Sequence, residues 1–163
     1  MIDFAAVLRA LTDAGVRFII VGGAAATAHG SARLTQDLDV VYARDSENLR
    51  RLAECLSPFD PYLRGAPPGL PFVLDEETLR RGLNFTLVSK LGDLDLLGEI
   101  AGGGGFDDLV DESIEIELFG ARCLCLGLRK LIDVKRAAGR PKDLEVLAEL
   151  EEILVRLTPD EAS

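Results

Sequence analysis

The sequence predicts a domain of the α/β (α+β) class, in which helices flank a mixed, mostly antiparallel sheet. Helix and strand patterns alternate through the N-terminal third, two hairpin patterns occupy the middle, and two helical patterns end the chain. A length of 163 residues with 48% hydrophobic residues suits one packed core. We therefore expect a single domain over 1–163, with an α/β core over about 1–125 and a C-terminal helical pair over about 127–158.

The elements of the N-terminal third are delimited by capping and turn residues. Asp3 is the expected N-cap of the first helix, Gly15 ends that helix, and Ser46 is the expected N-cap of a later one. A buried strand ends in the pair Gly22 and Gly23. The predicted elements are a helix over 4–14, a strand over 16–21, a short helix over 24–30, a strand over 37–42 and a helix over 46–56.

The rest of the chain combines loops, hairpins and helices. Segment 57–69 contains four of the seven prolines, which predicts a loop or lid, and the glycine run at 101–105 predicts a flexible connection. Hairpins are expected over 84–100 and over 113–127, the second turning near Gly120, and helices over 128–139 and from Pro141 onward. The last helix carries an apolar stripe that we expect in the core: Leu144, Leu147, Leu150, Ile153, Leu154 and Leu157.

The charge balance limits the classes of partner. The formal net charge of −10 argues against a broad basic surface that coats nucleic acid. A basic segment over 129–142 is either a solvated helix face or a surface for phosphates. Neither a membrane span nor a secretory signal is predicted, because no apolar run reaches the roughly 18 residues that cross a bilayer.

The single histidine and the three cysteines do not form a recognisable site. His29 is expected to pack or cap at a helix end, because a lone histidine has no metal-binding partners at suitable spacing. Cys55, Cys123 and Cys125 are expected to be small buried hydrophobes. An odd number of cysteines without a disulfide framework indicates a reducing, cytoplasmic compartment.

The most informative segment runs over 21–42, where a strand ends in a double glycine and a later strand begins Asp37-Leu38-Asp39. Because side chains alternate across a strand, Asp37 and Asp39 project from one face while Leu38 enters the core. Neighbouring carboxylates repel each other unless a cation lies between them, and such oxygen ligands favour Mg²⁺ or Mn²⁺. The glycines let a phosphate approach backbone N–H groups at the start of a helix.

This segment resembles the signature of the nucleotidyltransferase superfamily typified by polymerase-β-like enzymes. That signature pairs an apolar residue and a double glycine with a later Asp-apolar-Asp, and adds a third carboxylate on another strand, where Asp95 lies between two leucines. Asp93 fits less well because it follows a glycine at the expected hairpin turn. The patterns at 29–39 and 135–143, the latter ending in RPKD, resemble more narrowly small bacterial nucleotidyltransferases, which include relatives of abortive-infection toxins.

The resemblance implies an activity and a set of site residues. The protein would move a nucleoside monophosphate from an NTP, with ATP as the first expectation, to a hydroxyl of a protein, RNA (such as tRNA) or small-molecule acceptor, releasing pyrophosphate. The cofactor would be Mg²⁺ or Mn²⁺. The implied residues are Asp37, Asp39 and Asp95 as metal ligands and catalytic residues, and Gly22, Gly23, Arg33, Thr35 and Lys135 as contacts for the nucleotide.

Two other hypotheses remain open at the level of sequence. The chain could be a non-catalytic nucleotide-binding or antitoxin-like protein with a cognate toxin as its partner, although the three carboxylates argue against lost turnover. It could instead be an RNA-modifying toxin, which the net charge disfavours and the basic segment over 129–142 favours. The pair Asp37 and Asp39 alone is commonly a solvated strand end, so the hypothesis depends on the double glycine and the third carboxylate.

Overall fold

The computed structural model describes residues 2–157 and contains a seven-stranded sheet with helices packed against it. The strands are β1 (Phe18–Val21), β2 (Asp37–Tyr42), β3 (Tyr62–Leu63), β4 (Asn84–Val88), β5 (Asp93–Leu97), β6 (Glu99–Ile100), β7 (Gly104–Gly105), β8 (Ser113–Leu118) and β9 (Ala121–Leu126). The helices are α1 (Phe4–Asp13), α2 (Gly22–Ala28), α3 (Ser46–Leu56), α4 (Glu76–Arg81), α5 (Phe106–Leu109), α6 (Leu128–Ala138) and α7 (Pro141–Arg156).

The sheet has the order β3-β4-β5-β2-β1-β9-β8, and β6 pairs with β7 in a separate small sheet. Within the large sheet β2 runs parallel to β5 and β1 runs parallel to β9, while the other pairings are antiparallel. This arrangement confirms the predicted mixed, mostly antiparallel sheet. It also confirms both predicted hairpins, β4 with β5 and β8 with β9.

The core forms where the apolar strand residues meet the flanking helices. Strand β1 is buried along its whole length, which explains its unbroken apolar sequence. On β2 and β5 the burial alternates, so Leu38 and Leu94 are buried while their neighbours on the opposite face are only half-buried. Helix α1 contributes Leu8 and Leu11, both fully buried, to the same core.

The register of β2 and β5 positions the residues that the sequence singled out. Asp37 lies opposite Asp93 and Asp39 lies opposite Asp95, so four carboxylates share one face of two adjacent strands. Strand β1 pairs antiparallel with β2 on the other side, and its last residue, Val21, lies opposite Asp39. Helix α2 begins at the next residue, so the double glycine lies beside this carboxylate.

Three local predictions were wrong. The N-cap of α3 is Asp45, whose carboxylate accepts the N–H of Asn48 at 3.2 Å, and Ser46 is the first helical residue. The proline-rich segment 57–69 contains strand β3, because its backbone completes the edge of the sheet against β4. The glycine run at 101–105 is partly ordered, because Gly104 and Gly105 pair with β6.

The apolar stripe of α7 was only partly correct. Leu150 is fully buried, but Leu144 is 52% exposed, and Val146, outside the predicted stripe, is buried instead. Helix α7 packs mainly against α6, so a narrower face than the sequence indicated is covered. Among the described residues, no helix combines the length and apolar character that crossing a membrane needs.

We expect Asp45→Ala to lower the free energy of unfolding by about 1 kcal/mol, the usual cost of losing an N-cap carboxylate. The same substitution also removes the ion pair between Asp45 and Arg17, which is exposed and adds little. Ser46→Ala is the matched control and should change stability by less than about 0.5 kcal/mol. Urea unfolding of both variants measures the difference, and a larger loss from Ser46→Ala would contradict the assigned cap.

Candidate active site

Three carboxylates converge at the start of β2 and in the middle of β5. One oxygen from each of Asp37, Asp39 and Asp95 lies within 4.8 Å of the others. The side chain of Asp93 lies on the same face but outside this cluster, and it is 44% exposed. Asp93 is the first residue of β5 and directly follows the turn that Ser89 and Gly92 close, as the sequence indicated.

The surroundings of Asp39 shift its pKa strongly. Burial, followed by the negative charges of Asp37 and Asp95, raises its pKa to about 7, while the positive charge of Lys135 opposes the shift. The Oδ1 atom of Asp39 is buried and has no hydrogen-bond partner among the described residues. A divalent cation fits this donor set, because it would supply both the missing partner and the missing positive charge.

The double glycine makes room for the protein's own side chains. A Cβ at Gly22 would lie 2.2 Å from Oδ2 of Asp39, and the φ of Gly22 is +65°, a conformation that favours glycine. A Cβ at Gly23 would lie 2.8 Å from Oγ1 of Thr35. The two glycines therefore let the first turn of α2 lie close to Asp39 and Thr35.

Thr35 and Arg33 differ in their relation to the triad. The Thr35 hydroxyl donates to the backbone carbonyl of Asp37 at 3.0 Å and lies 3.4 Å from its carboxylate, so it orients this ligand. Arg33 instead lies against α7, where Nη2 donates to the carbonyl of Glu145 at 3.2 Å and Nη1 lies 3.5 Å from its carboxylate. The structure thus brings Thr35, but not Arg33, into contact with the triad.

Lys135 reaches the site from α6 together with a cluster on the first turn of α7. Its Nζ lies 3.4 Å from Oδ1 of Asp143, a carboxylate that is 1% exposed. Nε of Arg140 lies 2.6 Å from Oδ2 of Asp143. Burial alone would raise the pKa of Asp143, but the hydrogen bond from Arg140 and the charge of Lys135 lower it overall.

Two cavities meet at this ion cluster. One of about 360 Å³ lies between α6 and the β4–β5 side of the sheet and is lined largely by apolar residues, among them Leu97, Ile100 and Val134. The other, of about 210 Å³, lies beside α2 and α7 and includes Gly23 and Lys142. Both cavities are bounded by the same four charged residues: Asp39, Lys135, Arg140 and Asp143.

Sequence reasoning left three charged residues of the site unassigned. Arg64 follows β3, and its Nη2 lies 2.7 Å from Oδ1 of Asp95, a contact that nothing in the proline-rich segment indicated. Arg140 and Asp143 belong to the RPKD pattern, which carried the resemblance, but neither was among the assigned site residues. The basic segment 129–142 is therefore partly a site feature, through Lys135 and Arg140, and partly an exposed helix face.

The histidine and the cysteines have structural positions. Nε2 of His29 lies 2.7 Å from the backbone carbonyl of Leu126, which ties the end of α2 to the end of β9 and confirms the predicted packing role. Cys123 and Cys125 are buried as expected, while Cys55 is half-buried. Burial raises the pKa of Cys55 and of Cys125 to about 12, so neither thiol ionises readily.

We expect Asp39→Asn to stabilise the metal-free protein more at pH 8 than at pH 5. Because the pKa of Asp39 is about 7 in the folded state and about 3.8 without the fold, the folded state holds a proton that the unfolded state releases. Stability is therefore lost as the pH rises through this window. The amide removes this penalty, and the gain at pH 8 should be at least ~1 kcal/mol, about one pKa unit.

Urea unfolding in EDTA at both pH values measures this effect. The matched control is Asp93→Asn, because Asp93 is half-exposed on the same face and belongs to no metal-sized cluster within residues 2–157. An equal change in the free energy of unfolding at pH 5 and pH 8 for Asp39→Asn would contradict the raised pKa.

Comparison with known proteins supports the fold. No family model and no curated protein matches the chain. TM1012 of Thermotoga maritima, described as a candidate nucleotidyltransferase, is 17% identical with a TM-score of 0.58, and the match covers 93% of this chain and 96% of that one. The lincomycin-bound lincosamide antibiotic adenylyltransferase LnuA is 14% identical with a TM-score of 0.60, and the match covers 90% and 93%.

An antigenic nucleotidyltransferase-like protein from Paracoccidioides brasiliensis is also similar. It is 13% identical with a TM-score of 0.58, and the match covers 95% of this chain and 75% of that one. At such identities the likeness concerns the fold. With its mixed sheet, the strand order around β2 and the flanking helices, this chain has the nucleotidyltransferase fold.

Proposed function

We propose that this protein is a metal-dependent nucleotidyltransferase that moves a nucleoside monophosphate from an NTP to an acceptor hydroxyl. The observation that carries the proposal is the triad of Asp37, Asp39 and Asp95 around a buried oxygen that lacks a partner among the described residues. The fold shared with nucleotidyltransferases, one of them an adenylyltransferase, supports the same reaction class. ATP is therefore the first nucleotide to test, and Mg²⁺ or Mn²⁺ is the expected cofactor.

The reaction forms one bond and breaks one. The acceptor oxygen attacks the α-phosphorus, the bond from that phosphorus to the bridging oxygen breaks, and pyrophosphate leaves with the bond electrons. Asp95, the triad member on β5, would accept the proton of the acceptor hydroxyl. Divalent ions held by Asp37, Asp39 and Asp95 would neutralise the phosphate charge and acidify the hydroxyl.

The remaining residues bind and orient. Gly22 and Gly23 add no side chains of their own to the first turn of α2, so phosphates can approach its backbone. Lys135 and Arg140 supply positive charge at the boundary of the two cavities, where the triphosphate would lie. Thr35 donates a hydrogen bond to the backbone carbonyl of Asp37 and is a positioning residue. Arg33 lies against α7 and lines the cavity of about 210 Å³, so it would contact the nucleotide only from that cavity.

The acceptor is best sought first among small molecules. The largely apolar cavity of about 360 Å³ reaches Asp39 and has the size of a site for a compact organic compound. LnuA, which shares the fold, acts on a small molecule by name. A protein or tRNA acceptor remains the alternative, and the net charge of −10 disfavours the nucleic acid. The single domain, the cytoplasmic location and a toxin or antitoxin partner remain predictions.

A non-catalytic nucleotide-binding protein is the second candidate, and one observation favours it. Arg64 forms an ion pair with Asp95, so the proposed base is engaged by a cation of the protein itself. The two candidates differ in a measurable product. Incubation with each α-labelled NTP, Mg²⁺ and cell extract should release pyrophosphate and label an acceptor if the protein is a transferase. Nucleotide binding without either product would identify a binding protein.

We expect Asp95→Asn to retain nucleotide binding and to lower transfer by about 100-fold or more, the scale of losing a positioned base. Asp93→Asn is the matched control on the same strand face, and its effect on transfer should be mild because Asp93 lies outside the triad. Pyrophosphate release and NTP affinity are measured side by side for both variants. A severe loss in Asp93→Asn with normal turnover in Asp95→Asn would move the third carboxylate to Asp93.

A further inference from the structure

Arg64 reaches the carboxylates of β5 from the edge of the sheet. Its backbone N–H donates to the carbonyl of Thr86 at 2.9 Å, which extends the pairing of β3 with β4 by one residue. Its Nη2 donates to Oδ1 of Asp95 at 2.7 Å and to the carbonyl of Leu87 at 2.8 Å. Its Nε lies 3.4 Å from Oδ2 of Asp93.

This ion pair is unlike the surface pairs of the molecule. The side chains of Arg64 and Asp95 are 28% and 19% exposed, whereas the arginines paired on the surfaces of α3 and α4 are 41–80% exposed. The Nε atom of Arg64 is buried without a hydrogen-bond partner among the described residues. A pair withdrawn from water in this way interacts more strongly than an exposed one.

Positive charge is distributed unequally between the two strands that carry the carboxylates. The guanidinium contacts Asp95 and Asp93, which are both on β5. On β2, the carboxylate of Asp37 accepts a hydrogen bond from the Thr35 hydroxyl, and Asp39 keeps a buried oxygen without a partner in the described part of the chain. The β5 half of the site therefore holds a cation of the protein, while the β2 half lacks a direct cationic contact among the described residues.

We infer that Arg64 is a built-in counter-cation that restricts metal binding at Asp95. The inference rests on the proposed function, because it concerns the divalent ions that the proposed reaction uses. A first ion can bind at Asp37 and Asp39, because no cationic side chain among the described residues contacts either carboxylate. A second ion that uses Asp95 must displace the guanidinium, because both cations need the same carboxylate.

The Arg64 side chain keeps other hydrogen-bond and ion-pair partners when a metal ion displaces it from Asp95. Asp93 and the carbonyl of Leu87 remain as partners for the guanidinium when its contact with Asp95 breaks. A Cβ added at Gly65, the next residue, would meet no heavy atom within 4 Å, so open space borders the backbone beside Arg64. The triphosphate brings negative charge of its own, so the second ion should bind with the nucleotide rather than before it.

The test is a titration with Mn²⁺ alone, followed by the EPR signal of free Mn²⁺, on the full chain without nucleotide. Wild-type protein should bind one ion tightly and a second weakly. Arg64→Gln should tighten the second ion by about tenfold or more, since an opposing charge at this distance shifts an equilibrium by about one to three log units. Arg64→Lys keeps the charge and should resemble wild type. Arg80→Gln removes a charge that is paired with Glu76 and Glu77 on α4, and should have no effect.

Each outcome decides the inference. Equal Mn²⁺ stoichiometry and affinity in wild type and Arg64→Gln would overturn it, and so would Arg64→Lys behaving like Arg64→Gln, because charge would then not be the cause. If Arg64→Gln unfolds in EDTA, folding restored by Mn²⁺ supports the inference, and failure to fold in Mn²⁺ overturns it.

The same experiment separates this inference from the proposed function. Asp39→Asn should lose the first ion. Pyrophosphate release from an NTP is measured separately on wild-type protein, and this release tests the proposed function independently of the role of Arg64. If wild type releases pyrophosphate and Arg64→Gln binds Mn²⁺ as wild type does, only the role of Arg64 fails. If neither wild-type protein nor any variant binds Mn²⁺ at millimolar concentration, with or without ATP, the inference about Arg64 and the proposed function both fail.

Discussion

The parallel pairing of β2 with β5 is the constraint on which the site depends. It places Asp39 opposite Asp95 and Asp37 opposite Asp93, so carboxylates that repel one another are held together. What holds them is the opposite face of the same strands, where Leu38 and its neighbours are almost completely buried. The hydrophobic core thus stabilises an arrangement that electrostatics alone would disperse, and the raised pKa of Asp39 reflects the burial and the repulsion that remain.

Cations from other segments of the chain reduce this repulsion. Lys135 comes from α6, where it is shared with the buried Asp143, and Arg64 comes from the edge of the sheet beyond β4. Neither cation contacts the free oxygen of Asp39. The protein therefore neutralises its site incompletely, which leaves a position that a divalent ion fits better than a side chain does.

The structure gives Gly22 and Gly23 a second role. In the sequence they indicated space for a phosphate, and in the structure they also give space to Asp39 and to Thr35. A larger residue at Gly22 would displace the Asp39 carboxylate before any nucleotide arrives. The first turn of α2 is therefore part of the candidate metal site as well as part of the proposed phosphate site, because its backbone borders both cavities beside Asp39.

The sequence alone determined most of the longer helices and strands, and alternation along β2 placed Asp37 and Asp39 on one face. Alternation places Asp93 and Asp95 on one face as well, so the preference for Asp95 came from the leucines on either side of it. The cap of α3 and the short strands β3 and β7 were missed, because one-residue shifts and two-residue strands leave no periodic signal. Only the tertiary structure brought Arg64 to Asp95, since sequence patterns carry no information on which distant side chain crosses the edge of a sheet to neutralise a charge.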